Sequence, residues 1–348
     1  MVSDLVVAVP DGLATATGGF GYDRRIIAEL AALGWKVRVL DLGSGFPRAT
    51  AQMRSAASTR LAALPRQCPV IVDGLAYGVL PEAAEMLRDS HRLVALVHHP
   101  LALETGLNAH ESAALRASEQ AALACARHVV ATSATTMRIL AKDFHVPIDR
   151  LSVVEPGTDR AAAQRRKQGR GVALLSVGAV VPRKGYDVLV SALGKIAHLP
   201  WRLAIVGDCT RSASTVRLLR ARIMRLGLAE RIVLLGVVTA DKLVSLYTSS
   251  DLFVLASRFE GYGMALAEAI AHGMPVVGTK VGAIEQTVPA SAGVLVPADD
   301  AGALASALQR LIEKPEEREC FAAGARAAVF PSWREQGARF ARVLERLA

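Results

Sequence analysis

Short apolar runs alternate along the chain with longer stretches in which apolar residues recur at helical spacing. The runs are rich in valine, isoleucine and leucine, which is typical of strands buried on both faces of a parallel sheet. Twelve of them predict strands, at 5–9, 37–40, 70–72, 93–97, 129–131, 151–154, 172–177, 203–206, 232–235, 252–255, 275–277 and 293–296. The pattern therefore predicts an α/β protein of parallel sheets with helices on both faces.

A break in this alternation divides the strands into two sets. Glu155-Pro156-Gly157 ends the sixth strand, and the segment 161–171 is small and basic and has no apolar periodicity. The length of 348 residues is also more than one hydrophobic core usually serves. We therefore predict two doubly wound domains joined by a linker at 161–171, each binding ligands at the carboxyl ends of its strands.

Composition supports a globular chain and limits its location. Hydrophobic residues make up 52% of the sequence and charged residues 21%. The first residues, MVSDLVVAVPDG, show neither a basic signal-peptide region nor a membrane span, so we expect a cytoplasmic protein. The four cysteines are scattered, which disfavours a disulfide framework or a zinc site.

The net charge of +9 belongs almost wholly to the second half of the chain. Residues 1–165 contain 17 basic and 16 acidic side chains, which leaves 24 and 16 for the remainder. A basic half attracts anionic partners. Because aromatic residues are only 5% and no basic run exceeds three residues, we expect no nucleic-acid binding and favour a phosphorylated small molecule.

The segment 47–66 is a second basic feature, with four arginines and three larger apolar residues between them. Two interpretations stay open for it: a solvated helix, or a helix in weak peripheral contact with anionic lipid at the inner membrane face.

The stretch RFEGYGMALAEAIAHGMPVVGT, from residue 258, contains two glutamates, Glu260 and Glu268. Glu260 follows a predicted strand, whereas Glu268 lies in an apolar helix that begins after Gly263 without a capping side chain. The first amides of that helix are open to an anion. A buried partner in the core is the alternative for Glu268; otherwise we expect it to lack a partner until a polyhydroxylated ligand binds.

Two further loops follow predicted strands. Arg183 and Lys184 precede a helix start, where the helix dipole favours an anion rather than cations, so a diphosphate between them is one interpretation and a solvated basic loop the other. His98 and His99 end the fourth strand, and a structural role is the alternative to a ligand contact there. The glycine-rich segment 15–25 lacks the full pattern of a Walker or dinucleotide motif.

In this order the motifs resemble those of the retaining family 4 glycosyltransferases. EGYGMALAE (260–268) is similar to the Glu-x7-Glu motif of that family, and VGAVVPRKGYDVL, AIVGD and the run of residues 129–159 follow the family pattern over nearly the whole chain. The resemblance implies the GT-B fold of two facing Rossmann-like domains with a cleft between them. It implies an acceptor-side domain over 1–160 plus 332–348 and a nucleotide-sugar domain over 172–331.

The resemblance also implies site residues and a reaction. His98 and Glu260 correspond to the groups beside the transferred sugar, and Glu268 to the acid that binds the ribose. Donor-diphosphate binding is implied for a set of loop residues: Gly19, Arg183, Lys184, Gly261, Tyr262, Gly263 and Met264. The reaction is transfer of a sugar from a UDP- or GDP-linked donor to a hydroxyl acceptor, with retained configuration and without a metal or other cofactor.

One departure from the family pattern concerns the diphosphate. The family often has an arginine at the position of Ala179, and we expect Arg183 to supply that charge instead. Two alternatives to a transferase stay open: a nucleotide-sugar epimerase or hydrolase of the same fold, and a non-catalytic nucleotide-sugar-binding protein. The sequence does not indicate the base, the sugar, the acceptor or the oligomeric state.

Overall fold

The computed structural model of the chain describes residues 4–13, 17–159 and 171–347. The chain divides into two compact units, one made of Met1–Thr15, Gly19–Gly157 and Pro331–Ala348, the other of Ala16–Gly18 and Thr158–Phe330. Apart from Gly171, the predicted linker at 161–171 lies outside the described residues. Each unit has its own sheet and its own apolar core.

The sheet of the first unit has six strands in the order β2-β1-β3-β4-β5-β6, and every neighbouring pair is parallel. Its strands are β1 (Asp4–Val9), β2 (Lys36–Asp41), β3 (Pro69–Asp73), β4 (Arg92–Val97), β5 (His128–Ala131) and β6 (Leu151–Val153). The helices between them are α1 (Gly18–Ala32), α2 (Ala51–Ala62), α3 (Gly74–Tyr77), α4 (Pro81–Leu87), α5 (Ala109–Cys125) and α6 (Ala134–Asp143).

The second unit repeats this plan, with six parallel strands in the order β12-β11-β10-β7-β8-β9. Its strands are β7 (Val172–Val177), β8 (Trp201–Val206), β9 (Ile232–Gly236), β10 (Leu252–Leu255), β11 (Val276–Thr279) and β12 (Gly293–Val296). Its helices are α7 (Tyr186–Lys195), α8 (Ala213–Arg225), α9 (Ala240–Ser249), α10 (Met264–Ala271), α11 (Ile284–Thr287), α12 (Ala301–Glu313) and α13 (Pro315–Ala327).

All twelve strands predicted from the apolar runs are present in the structure, with ends that differ by at most two residues. The burial of the central strands explains why continuous apolar runs predicted them. All four residues of β10 and five of the six in β4 are buried, as helices on both faces require, whereas the edge strand β2 has no buried residue. The α/β class with two parallel sheets is therefore confirmed.

The last helix, α14 (Trp333–Glu345), packs in the first unit. Ser332 and Glu335 form a capping box at its start. The indole of Trp333 packs edge-on against the ring of Tyr22, with ring centroids 5.8 Å apart. Gly157 lies so close to the Trp333 backbone that a Cβ atom there would collide with it, so this glycine permits the helix to dock.

Candidate active site

Two loops of the second unit leave neighbouring strands at the same edge of its sheet. The loop after β7 ends in a 3-10 turn, Pro182–Lys184, which carries both predicted diphosphate-binding cations. The loop after β10 carries Ser257 and Glu260. Because β7 and β10 are hydrogen-bonded parallel neighbours, their carboxyl ends place these loops side by side.

Glu260 is the centre of a charged cluster between these loops. The Lys184 ammonium and the Ser257 hydroxyl both donate to its Oε1, each over 2.6 Å. Nη1 of Arg183 lies 3.5 Å from its Oε2. Burial raises the pKa of Glu260, but the charges of Lys184 and Arg183 outweigh it and lower the pKa to about 2. Glu260 is therefore ionised at neutral pH.

Two side-chain cations and one carboxylate meet in this cluster. The side chains of Arg183 and Lys184 are only 17% and 13% exposed, and that of Glu260 only 9%. Two cations held together at the carboxyl edge of a parallel sheet favour an anionic ligand there.

Arg258 joins the two loops. Its guanidinium donates to both carboxylate oxygens of Asp187, over 3.0 and 2.8 Å, and to the carbonyl oxygen of Pro182 over 2.6 Å. Its backbone N–H donates to the carbonyl oxygen of Arg183 over 2.7 Å. Bidentate arginine–carboxylate pairs fix orientation as well as distance. The pair of Arg258 and Asp187 therefore helps to hold the loop that carries Arg183 and Lys184 in position.

Gly185 allows the close approach of the two loops. Its φ of 63° lies in the left-handed region, and a Cβ atom there would collide with the carbonyl oxygen of Ala256. Only glycine adopts this conformation without steric cost and also avoids the collision.

The helix α10 begins beside this cluster, and no side chain among the described residues caps its amino terminus. Gly263 occupies the cap position with a φ of 95°. The carbonyl oxygen of Tyr262 accepts a hydrogen bond from the Thr287 hydroxyl, which holds the preceding turn in place. Gly261 and Met264 flank these residues, so the four predicted backbone contacts form one continuous turn into the helix.

Glu268 lies on α10 and is largely buried. The hydroxyl of Tyr247, on α9, donates to its Oε2 over 2.9 Å. Our expectation that Glu268 lacks a partner is therefore wrong, because the Tyr247 hydroxyl supplies one. Burial raises the pKa of Glu268, and the charge of Asp159 raises it further. The hydrogen bond from Tyr247 acts in the opposite direction but does not outweigh them. Within the described residues no arginine pairs with it.

His98 lies in the first unit, directly after β4, and its imidazole packs against the start of α1. Its Nε2 lies 3.1 Å from Oδ1 of Asp23 and 3.6 Å from Oδ2 of Asp73. A Cβ atom at Gly19 would come within 3.1 Å of the imidazole Cδ2, so the absence of a side chain there makes room for the ring. The neighbouring His99 contacts Glu104 instead, at 3.4 Å.

The structure thus brings the predicted residues together in two groups, one in each unit. The first contains Gly19 and His98, and the second contains Arg183, Lys184, Glu260, the turn 261–264 and Glu268. Their predicted roles toward a ligand stay predictions.

Four residues of these groups were missed in the sequence: Asp23, Asp73, Ser257 and Tyr247. Asp73 had a detectable signal, because it ends a buried strand at the same sheet edge as His98. Asp23 also had one, as an acid between Tyr22 and Ile26 on a buried helix face.

The basic segment 47–66 forms α2 and its flanks. Leu61 and Leu64 are buried in the first unit, whereas Met53 is 40% exposed. Arg54 and Arg60 donate to backbone carbonyl oxygens of Ala49 and Asp41. Contact of this segment with lipid stays a prediction. Among the described residues, no helix is both long and apolar enough to cross a membrane.

Comparison with known proteins identifies relatives of the chain by sequence. Residues 157–328 match the sequence model of the family described as glycosyl transferases group 1. A D-inositol 3-phosphate glycosyltransferase of Xylanimonas cellulosilytica is 32% identical over 229 residues, which cover 60% of this chain and 54% of that protein. The mannosylfructose-phosphate synthase of Agrobacterium fabrum is 29% identical over 177 residues, 46% of this chain and 39% of that protein.

Solved structures resemble the whole chain in fold. A sucrose-phosphate synthase from Thermosynechococcus elongatus matches with a TM-score of 0.84 at 20% identity and covers 99% of both chains. Anabaena HepE, solved in complex with UDP-glucose, matches with a TM-score of 0.76 at 18% identity over 98% of this chain and 99% of that one. These matches confirm the GT-B type of fold. The chain spans only about half the length, or less, of the two curated relatives it matches.

Proposed function

The second unit of the chain belongs to the group 1 glycosyltransferases, and from that premise we propose that the chain transfers a sugar from a UDP- or GDP-linked donor to a hydroxyl group of an acceptor. The observation that carries the proposal is the partly buried cluster of two cations, Arg183 and Lys184, around the carboxylate of Glu260. A nucleotide sugar presents a diphosphate in the middle of a polyhydroxylated molecule, and the cluster offers cations and a carboxylate at one place.

Donor binding follows from the order of groups along the edge of the second sheet. The uncapped amides at the start of α10 and the cations of Arg183 and Lys184 attract the diphosphate. Glu268, farther along α10, accepts hydrogen bonds from the ribose hydroxyls. Glu260, fixed beside the lysine, accepts hydrogen bonds from the sugar. The relative HepE, solved with UDP-glucose, supports a donor of this class.

The chemistry that we propose is metal-independent transfer with retained anomeric configuration. Side-chain cations and helix amides stabilise the charge that develops on the departing diphosphate. The diphosphate in turn helps to deprotonate the acceptor hydroxyl on the same face of the sugar. We assign His98 to a contact with the transferred sugar and Gly19 to a close approach of backbone to the diphosphate. Retention and metal independence rest on the family resemblance.

Turnover assays test this proposal against its two alternatives. The chain is incubated with UDP- and GDP-linked sugars, with and without a panel of hydroxyl acceptors, in the presence of EDTA. We expect nucleotide release that requires an acceptor and persists in EDTA, and a product whose anomeric configuration, read by NMR, equals that of the donor. Conversion of the donor alone would indicate an epimerase or hydrolase. Saturable donor binding without turnover on any acceptor would indicate a non-catalytic protein.

A thermal-shift screen of UDP, GDP and their sugars selects the donor for these assays. A ligand at 100 times its dissociation constant stabilises the folded state by about 2.7 kcal/mol.

A further inference from the structure

Three titratable side chains of the first unit meet at the carboxyl edge of its sheet, and two of them have no role in the proposal above. His98 follows β4, Asp73 is the last residue of β3, and Asp23 lies on α1. Each aspartate is 1% exposed, so neither is solvated by bulk water.

His98 is the counter-charge of this cluster. Its Nε2 lies within hydrogen-bond distance of Asp23, at 3.1 Å, and 3.6 Å from Asp73. In the described part of the chain no other cation pairs with either aspartate. Oδ2 of Asp23 and Oδ2 of Asp73 are buried without a hydrogen-bond donor, whereas Oδ1 of Asp73 accepts the Leu75 N–H at the start of α3. Buried carboxylates so poorly supplied with donors strongly favour a charged imidazole beside them.

The contacts of His98 also fix which ring nitrogen is available to a ligand. Because an ionised carboxylate only accepts hydrogen bonds, Nε2 must carry a proton toward Asp23. The ring edge is held by Tyr22, whose centroid lies 5.2 Å away. The carbonyl oxygen of His98 accepts the Thr132 hydroxyl. No residue in the ranges that the structure describes forms a hydrogen bond with Nδ1, and the side chain is 19% exposed.

We propose that Asp23 is a positioning residue for His98: Asp23 holds Nε2 toward the interior of the first unit and keeps the imidazole charged, so that Nδ1–H donates a hydrogen bond to an oxygen of the sugar donor. The inference rests on the proposed function only where it names the sugar donor. The orientation and charge of His98 are properties of the first unit by itself.

The pKa values of the pair agree with this assignment. Burial lowers the pKa of His98, but the two carboxylates outweigh it and raise the pKa to about 10. Burial raises the pKa of Asp23 to about 6 against the opposing charge of His98, and Asp73 adds to the rise. The ionised pair therefore exists between about pH 6 and about pH 10. Asp23 on α1 and Asp73 at the end of β3 are the charged groups that face the imidazole.

A metal ion is the competing occupant of the cluster. One donor atom from each of the three side chains lies within 4.8 Å of the other two, and an ion there would replace the proton on Nε2. We favour the proton because a protonated Nε2 forms a hydrogen bond with Asp23 over the observed 3.1 Å, and this requires no bound ion. The test below separates the two.

Nitrogen-15 NMR of the histidine-labelled full chain measures the charge and tautomer of His98 directly. The signal is assigned by its loss in His98→Gln, and the titration runs from about pH 5.5 to about pH 11 to include the expected wild-type midpoint. We expect both ring nitrogens of wild-type His98 to stay protonated to about pH 9, and Asp23→Asn to lower the midpoint by about three pH units, to near neutrality. Glu29→Gln, a matched charge change on the same helix, leaves the midpoint unchanged.

Three results of this titration would overturn the proposal. They are a wild-type midpoint near the ordinary histidine value of about 6.5, an Asp23→Asn midpoint equal to that of wild type, and loss of the Nε2 proton on addition of one equivalent of Zn²⁺ or Mn²⁺.

Kinetics then tests whether the positioning matters for transfer. With the donor and acceptor found above, Asp23→Asn is expected to lose about ten-fold in kcat/KM at pH 8 and to show an alkaline limb near neutrality, because its imidazole deprotonates there. The melting temperature of each variant is measured in parallel. An Asp23→Asn pH profile equal to that of wild type would overturn the positioning role. If wild type transfers no sugar from any donor, the proposed function fails, while the titration still decides the coupling of Asp23 and His98.

Discussion

Lys184 and Glu260 form an ion pair in which Nζ lies 2.6 Å from Oε1, although the residues are 76 positions apart in the chain. The pair places the predicted diphosphate-binding lysine and the predicted sugar-binding acid at one point. A donor whose diphosphate meets Lys184 would therefore have its sugar beside Glu260, as the bond between sugar and diphosphate requires. Because of this ion pair, Glu260 also stabilises the folded protein in the absence of a ligand.

Glu260→Gln should reveal that structural contribution in acid. The pKa of Glu260 is held down to about 2, below the ordinary value of 4.5, so its contribution to stability is fully present above pH 4.5 and is lost as pH falls through about 2. We expect the free energy of unfolding of Glu260→Gln at pH 7 to fall by about 3 kcal/mol, because Lys184 and Arg183 lose their carboxylate.

Urea unfolding between pH 7 and pH 2 measures this difference, with the exposed Glu285→Gln as a control in the same unit. The difference between wild type and Glu260→Gln should shrink toward pH 2. A difference that stays constant down to pH 2 would show that the ionised carboxylate contributes nothing.

Gly185→Ala should disrupt the loops that carry the cations. Gly185 and Gly227 share the left-handed conformation, with φ values of 63° and 67°, but only a Cβ atom at Gly185 meets another atom, the Ala256 carbonyl oxygen. Gly227→Ala is therefore expected to cost only about 1 kcal/mol of backbone strain. Gly185→Ala should cost several-fold more. Equal losses in thermal unfolding would mean that the two loops do not approach as described.

Glu268→Gln should weaken binding of the nucleoside part of the donor. If Glu268 accepts the ribose hydroxyls, its variant loses affinity for a nucleoside and for the matching nucleoside diphosphate by a similar factor, about ten-fold for one charge-assisted hydrogen-bond pair. Lys184→Met should spare the nucleoside and weaken only the diphosphate. Titration calorimetry with uridine and UDP, or guanosine and GDP, separates the two. Unchanged nucleoside affinity in Glu268→Gln would remove the ribose role.

Glu119→Gln should reduce the loss in free energy of unfolding that accompanies a rise in pH toward about 8. Glu119 is 1% exposed and accepts the Leu101 N–H over 2.9 Å, and burial raises its pKa to about 8. Since the folded pKa lies above the unfolded one, the contribution of this group is present below about pH 4.5 and is lost as pH rises through about 8.

Chemical unfolding from pH 4.5 to pH 9 checks this, with the exposed Glu82→Gln as the control. The wild type and Glu82→Gln should lose stability together over this range, and Glu119→Gln should lose less. A parallel decline in all three proteins would place the titrating group elsewhere.

The sequence predicted the strands and the loops between them because both depend on local pattern. Buried parallel strands such as β10 are continuous apolar runs, and the glycines around 261–263 mark a turn whatever the rest of the chain does. Since the carboxyl ends of parallel strands share an edge, Lys184 and Glu260 could be assigned to one sheet edge without coordinates.

The partners of the buried acids could not be predicted in this way. Asp23 and His98 are 75 residues apart, and their contact depends on how α1 packs at the end of β4. Tyr247 on α9 reaches Glu268 on α10 through tertiary packing, and neither helix indicates this contact by its own periodicity. Such pairings are products of tertiary packing, for which apolar spacing carries no information.

Titration calorimetry of UDP and GDP against wild type and two lysine variants tests the central claim most directly. Lys184→Met removes one of the two cations of the cluster, whereas Lys195→Met removes an exposed lysine from the last turn of α7. We predict saturable binding of one of the two nucleotides to wild type and to Lys195→Met, and at least about ten-fold weaker binding to Lys184→Met. Failure of both nucleotides to bind wild type, or equal affinity in Lys184→Met, would contradict the account.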